Sequence, residues 1–277
     1  MSTLSKHLRM IAASAILTLG AGAVSNAVAQ TFTVGPATIA GLPAIPGFTA
    51  DAIDGTSSTL VTNTGGFNYQ ATGYIEYGNF ALASVNVPPL TSGLGVTYGL
   101  FATFTQTFTC PAALAPGVSC TTTSVPMLNL YADPVADLAF TAATITTAPT
   151  ASLTGAVLLG TTPGLVAGTA GLNSLGGAAE NVNTLLALTA AGNLFFTSPV
   201  PFYTLEFNAF NNTSTGVACN TAGCIAPTAV AINAEAGITT FALVPEPASL
   251  ALLGIGLAGL FLSSRKASPS ECELGRD

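Results

Sequence analysis

The run VTYGLFATFTQTFTC, residues 96–110, decides the fold class. From Thr103 to Thr109 every second residue is threonine, with Phe104 and Phe108 between them, which is the period of two expected of a strand with one face turned to a core. FNYQATGYIEYGNF (67–80), TFTVG (31–35), TLVTN (59–63), PMLNLYADP (126–134), NTLLALTAAGNLFFTSP (183–199) and FYTLEFNAFNN (202–212) also alternate or read as short buried strands, and the longer ones can hold two each. Gly and Pro punctuate the chain every few residues, and no long stretch has a period of 3.6. These features predict an all-β domain, a β-sandwich or an irregular β-barrel. The aromatic-free, uncharged stretch 142–178 reads either as a β excursion with long loops or as a low-complexity linker. No fixed repeat supports a solenoid, and the threonines lack the strand-after-strand register of a flat ice-binding ladder.

The two ends read as targeting segments. Lys6, His7 and Arg9 precede an apolar run from Ile11 to Val24, and Ala27-Val28-Ala29 forms a small-x-small cleavage site before Gln30, so residues 1–29 are expected to be a secretory signal-peptide helix. Ala248 to Leu262 is uncharged and apolar, and Arg265 and Lys266 follow it. At ~1.5 Å per residue this run spans about 22 Å of a ~30 Å hydrocarbon core. One transmembrane helix is expected over 248–262, drawing on flanking Ser263 and Ser264, with Arg265 and Lys266 snorkelling as the cytoplasmic stop. The predicted organisation is therefore 1–29 signal peptide, 30–243 extracytoplasmic domain, 244–266 tail signal and 267–277 cytoplasmic tail.

The middle segment contains no Lys, Arg or His; its ionisable carboxylates are Asp51, Asp54, Glu76, Asp133, Asp137, Glu180, Glu206 and Glu235. Such a domain has the wrong sign for nucleic acid and repels anionic substrates. It can form no side-chain salt bridges of its own, so apolar burial, backbone hydrogen bonds and disulfides must carry its stability. Cys110 and Cys120 enclose PAALAPGVS, and Cys219 and Cys224 enclose NTAG. Local pairing is one of three connectivities and is preferred because each loop has the Gly or Pro needed to close tightly. The spacing does not fit a zinc site, and no resident metal or cofactor is expected.

Ser or Cys nucleophiles need a base such as His or Lys, which this segment lacks. Paired carboxylates alone could serve glycoside hydrolysis or aspartic proteolysis, but Asp54-Gly55-Thr56 is not an aspartic-protease motif and the chain has no Trp for sugar stacking. No enzymatic activity is expected. For calcium, Asp133 and Asp137 in YADPVADL and Asp51 and Asp54 in TADAIDG are the candidate oxygen ligands, against the plainer reading of turn and capping carboxylates.

The tail VPEPASLALLGIGLAGLFLSSRK resembles the PEP-CTERM sorting signal: a box at Val244, Pro245, Glu246 and Pro247, a short apolar helix, and a basic pair. Two prolines around Glu246 disfavour helix and strand alike and leave the box extended. The resemblance implies an exosortase-like processing enzyme as partner, an inner-membrane-held precursor, and delivery to the cell surface or extracellular matrix. The extension ASPSECELGRD departs from the pattern, in which members usually stop at the basic pair. FTADAIDGTSSTLV, YGNF, YGLFATF, LNLYADP and AAGNLFFTSPVPFYTLEFNAFNNTSTG also resemble the flocculation-associated PEP-CTERM proteins. That resemblance implies a structural, adhesive role in floc or biofilm together with exopolysaccharide. The alternatives are a Ca-dependent carbohydrate-binding module, which would need clustered carboxylates beside exposed aromatics such as Tyr74, Tyr77, Phe202 and Tyr203, and an ice-binding adhesin.

Overall fold

Alternating apolar and hydroxyl residues become hydrogen-bonded strands along most of the chain. The computed structural model describes residues 30–124 and 127–243; the expected signal-peptide helix, the box at Val244–Pro247, the membrane helix 248–262 and the basic pair Arg265 and Lys266 lie outside the described residues. Among the described residues no helix is long and apolar enough to cross a membrane.

In chain order the strands are β1 (Phe32–Val34), β2 (Phe48–Ala50), β3 (Ala52–Gly65), β4 (Asn68–Leu82), β5 (Val85–Asn86), β6 (Tyr98–Thr109), β7 (Ser119–Thr122) and β8 (Asn129–Pro134). They continue with β9 (Phe140–Thr141), β10 (Thr150–Ala151), β11 (Val157–Leu172), β12 (Ala178–Leu188), β13 (Phe196–Ser198), β14 (Leu205–Asn211), β15 (Val217–Cys219) and β16 (Ala229–Ala242). Two short helices, α1 (Pro89–Ser92) and α2 (Ala190–Phe195), join them. The Thr189 hydroxyl caps α2 by accepting from the Gly192 N–H at 3.1 Å.

The pairing closes on itself. β3 pairs with β4, β4 with β6, and β6 with both β7 and β8. β7 and β8 both pair with β11, which leads through β12 and β14 to β16, and β16 returns to β3. Every pairing in the ring is antiparallel and, apart from the closing β16–β3 pair, joins staves that follow one another along the chain, with β7 and β8 end to end in one stave. The ring β3, β4, β6, β7/β8, β11, β12, β14, β16 is an up-and-down barrel, and of the two all-β forms expected it is the barrel that forms. Closure removes the free edges that an open sheet would expose.

The inward phase of β6 runs Leu100, Ala102, Phe104, Gln106, Phe108, and that of β4 includes Tyr69, Ala71, Ile75 and Tyr77, all buried. Bulges reset the phase elsewhere. Between Asn233 and Glu235 the β16–β3 register shifts, with Ala234 at φ 55°, so Glu235 follows Ile232 to the inside in place of Ala234.

Each barrel end is plugged. Where β16 finishes, the small sheet β13-β1-β2 lies over the opening, and Phe32 packs edge-on against Phe80, Phe196, Phe202 and Phe241 with ring centroids 5.3–6.3 Å apart. At the other end the Cys110–Cys120 disulfide closes a loop that inserts Leu114. The Leu114 N–H donates to the Tyr69 hydroxyl at 3.0 Å, and its carbonyl accepts from the Ala226 N–H at 2.9 Å.

The stretch 142–178 is not a linker. It completes the β9–β10 hairpin and then supplies β11, a full stave. The hairpin lies on the outer wall: Phe140 stacks on Tyr74 at 4.9 Å, Ala143 packs with Leu60 and Ala231, and the Ser58 hydroxyl accepts from the Ala143 N–H at 2.8 Å.

Candidate functional site

Three of the carboxylates point into the barrel, where no basic residue can meet them because residues 30–243 contain none. Glu180 accepts from the Gln106 amide at 2.6 Å, and Glu235 accepts from the Ser57 hydroxyl at 2.8 Å. Glu206 accepts from the Asn208 amide at 3.1 Å; the Asn208 carbonyl oxygen in turn accepts from the Thr239 hydroxyl, which lies 3.1 Å from the Tyr77 hydroxyl. Burial pushes Glu180 up to about 8, helped by the charge of Glu235 and opposed by the Gln106 bond. Glu180 keeps some surface as a residue, but its carboxyl head is enclosed by protein. Burial likewise pushes Glu206 and Glu235 up to about 7, each offset in part by its hydrogen bond.

Two small cavities flank this belt. One of about 30 Å³ is lined by Thr59, Gln106, Glu180 and Glu235 among apolar neighbours, and one of about 20 Å³ by Ser57, Gln106, Glu180, Thr184 and Asn208. Each has room for a water molecule and polar walls to hold it, whereas small-molecule pockets run to roughly 300–1,000 Å³. The belt can hold protons and water; it has no space for a substrate.

The outer carboxylates divide. Asp51 accepts from the Ala83 N–H at 2.7 Å and so braces a turn in which Ala83 and Ser84 both have positive φ. Asp54 is raised by burial and then by the charge of Asp51. Asp51 carries out the turn role set against calcium in the sequence, whereas Asp54 lies within β3. Asp133 and Asp137 differ: Asp133 is fully buried, neither of its carboxylate oxygens has a hydrogen-bond partner, and Asp137 is exposed beside it. Burial raises Asp133, and the charge of Asp137 raises it further. Among the described residues no third His, Cys, Asp or Glu joins them to form a metal cluster.

Tyr74, Tyr77, Phe202 and Tyr203, the aromatics suggested for sugar contact, are all buried. Tyr77 and Phe202 belong to the core, Tyr74 is covered by Phe140, and the Tyr203 hydroxyl donates to the Thr31 carbonyl at 2.7 Å. They hold the barrel together and offer no stacking platform. Both local disulfides form, Cys110–Cys120 and Cys219–Cys224, with Cα atoms 4.1 and 5.3 Å apart.

The last stave ends at Ala242, and residues 243–266 match the PEP-CTERM protein-sorting motif. The chain carries a PEP-CTERM sorting signal. No curated protein and no solved structure matches it. The PEP-CTERM motif is a recognition signal for exosortase processing, and it marks the chain for export and sorting to the cell surface by way of a membrane-held precursor. Since the motif starts one residue after β16, no spacer in the sequence separates the barrel from its sorting signal.

Proposed function

We propose that this chain is a structural and adhesive protein of the extracellular matrix, delivered by its PEP-CTERM signal and acting through abundance and surface rather than catalysis, in support of floc or biofilm formation with exopolysaccharide. In this reading residues 1–29 are removed on export, the segment 248–262 holds the precursor in the inner membrane, and Val244–Pro247 is the cutting site. The observation that carries it is the sorting motif placed directly after a closed, plugged barrel.

The barrel's surface chemistry supports the adhesive part. Its outer wall bears a shallow depression of about 490 Å³ in which Thr121, Thr169, Asn181 and Asn183 stand among apolar Leu165, Val166 and Phe207. Uncharged hydroxyls and amides suit a hydroxyl-rich polymer, and the absence of cations on residues 30–243 disfavours anionic partners. No nucleophile–base pair can be assembled from this domain, so we assign no enzymatic step. A deletion strain should form weaker flocs or biofilm than its parent, and re-expression of the chain should restore them. Unchanged aggregation and matrix would refute the adhesive role while leaving export untouched.

A further inference from the structure

We infer that Asp133 and Asp137 hold a hard divalent cation of calcium's size where the β9–β10 excursion leaves and rejoins the barrel. Asp133 sits near the end of β8 opposite Gly99, with its neighbour Ala132 turned into the core, so its own side chain faces the outer wall. There it is fully buried, and both of its oxygens lack a hydrogen-bond partner. An ionised carboxylate in that state is costly unless a positive charge meets it, and residues 30–243 have no Lys, Arg or His to do so.

The turn before β11 brings the second carboxylate close to the first. Gly155, at φ 80°, lies in the turn just before β11, and a Cβ built on it would stand 3.1 Å from Asp137 Oδ2 and 3.3 Å from Asp133 Oδ1. The two carboxylates thus approach the same turn, and a side chain at residue 155 would crowd both. Asp137 is exposed and gives an entry path from solvent. Calcium accepts six to eight oxygens in flexible geometry, so two carboxylates leave the remaining positions to backbone carbonyls and water. With so few protein charges the affinity belongs to the weak range of extracellular modules, roughly 10⁻⁴–10⁻³ M. The ion would fasten the excursion to the barrel wall in the calcium-rich medium outside the cell.

The test uses the full chain purified in detergent, with calcium chloride or EGTA as the only variable. Equilibrium dialysis should find one calcium per chain, and 5 mM calcium should raise the melting temperature by about 3 °C over EGTA. Asp137→Asn, at an exposed position, should fold normally and weaken calcium binding at least tenfold. Asp133→Asn should do the same, and Glu76→Gln should behave as wild type. No calcium-dependent shift in the wild-type chain would overturn the inference. So would an equal shift in wild type, Asp137→Asn and Asp133→Asn, since that marks diffuse screening of an anionic surface.

Discussion

Glu206 shows how a single residue sets the pH response. A carboxyl raised from 4.5 to about 7 by burial binds its proton more tightly folded than unfolded. Its contribution is therefore fully present below about 4.5 and is lost as pH rises through about 7; Glu235 behaves alike, and Glu180 loses its share nearer 8. The melting temperature should fall between pH 5 and about 8 and level off above it. Glu206→Gln preserves the acceptor for Asn208 and removes the charge, so at pH 9 it should recover on the order of 3 kcal/mol while changing little at pH 5. A stability profile that rises with pH across this window would contradict the buried, unpaired placement. These residues were not legible beforehand. In FYTLEFNAFNN the apolar Leu205 and Phe207 suggest the inward phase, yet Glu206 and Asn208 take it and Phe207 lines the outer depression. Glu235 turns inward only because of the bulge at Ala234, and nothing in NAEAG announces a bulge.

At the scale of elements, the aromatic-rich staves β4 and β6 and the two cysteine loops could be read from the sequence, because alternation and tight loop chemistry are local signals. β11 could not. Its glycines replace the side chains that would show a period of two, and they are there for contact: a Cβ at Gly168 would meet Thr122 Oγ1 at 2.6 Å, and one at Gly171 would strike the Val118 carbonyl. The stave is held by its neighbours, which a local reading cannot see. Of the disulfides, Cys110–Cys120 closes the longer loop and carries Leu114 into the barrel mouth. Loop-closure entropy gives it about 3 kcal/mol, against about 2 for Cys219–Cys224. Replacing Cys110 and Cys120 together by Ser should therefore lower the denaturation midpoint more than replacing Cys219 and Cys224. An equal loss from both double variants would contradict both the loop-length difference and the role of the plug.

The whole molecule joins a sealed barrel without internal salt bridges to a C-terminal sorting motif that begins where the last stave stops. The barrel needs no ligand pocket to fold, since closed hydrogen bonding and plugged ends satisfy it. The short apolar run 248–262 suits a temporary stop better than a permanent anchor in a ~30 Å core. On this account Glu246 matters to processing and not to folding or insertion, because it lies outside both the barrel and the apolar run. The deciding measurement is cell fractionation of Glu246→Ala, using an antibody to the barrel and a tag on the C-terminal tail. The account predicts full-length, doubly detected precursor trapped in the inner membrane, with the tag-free barrel lost from the surface. Surface display and release of the barrel equal to wild type would contradict it.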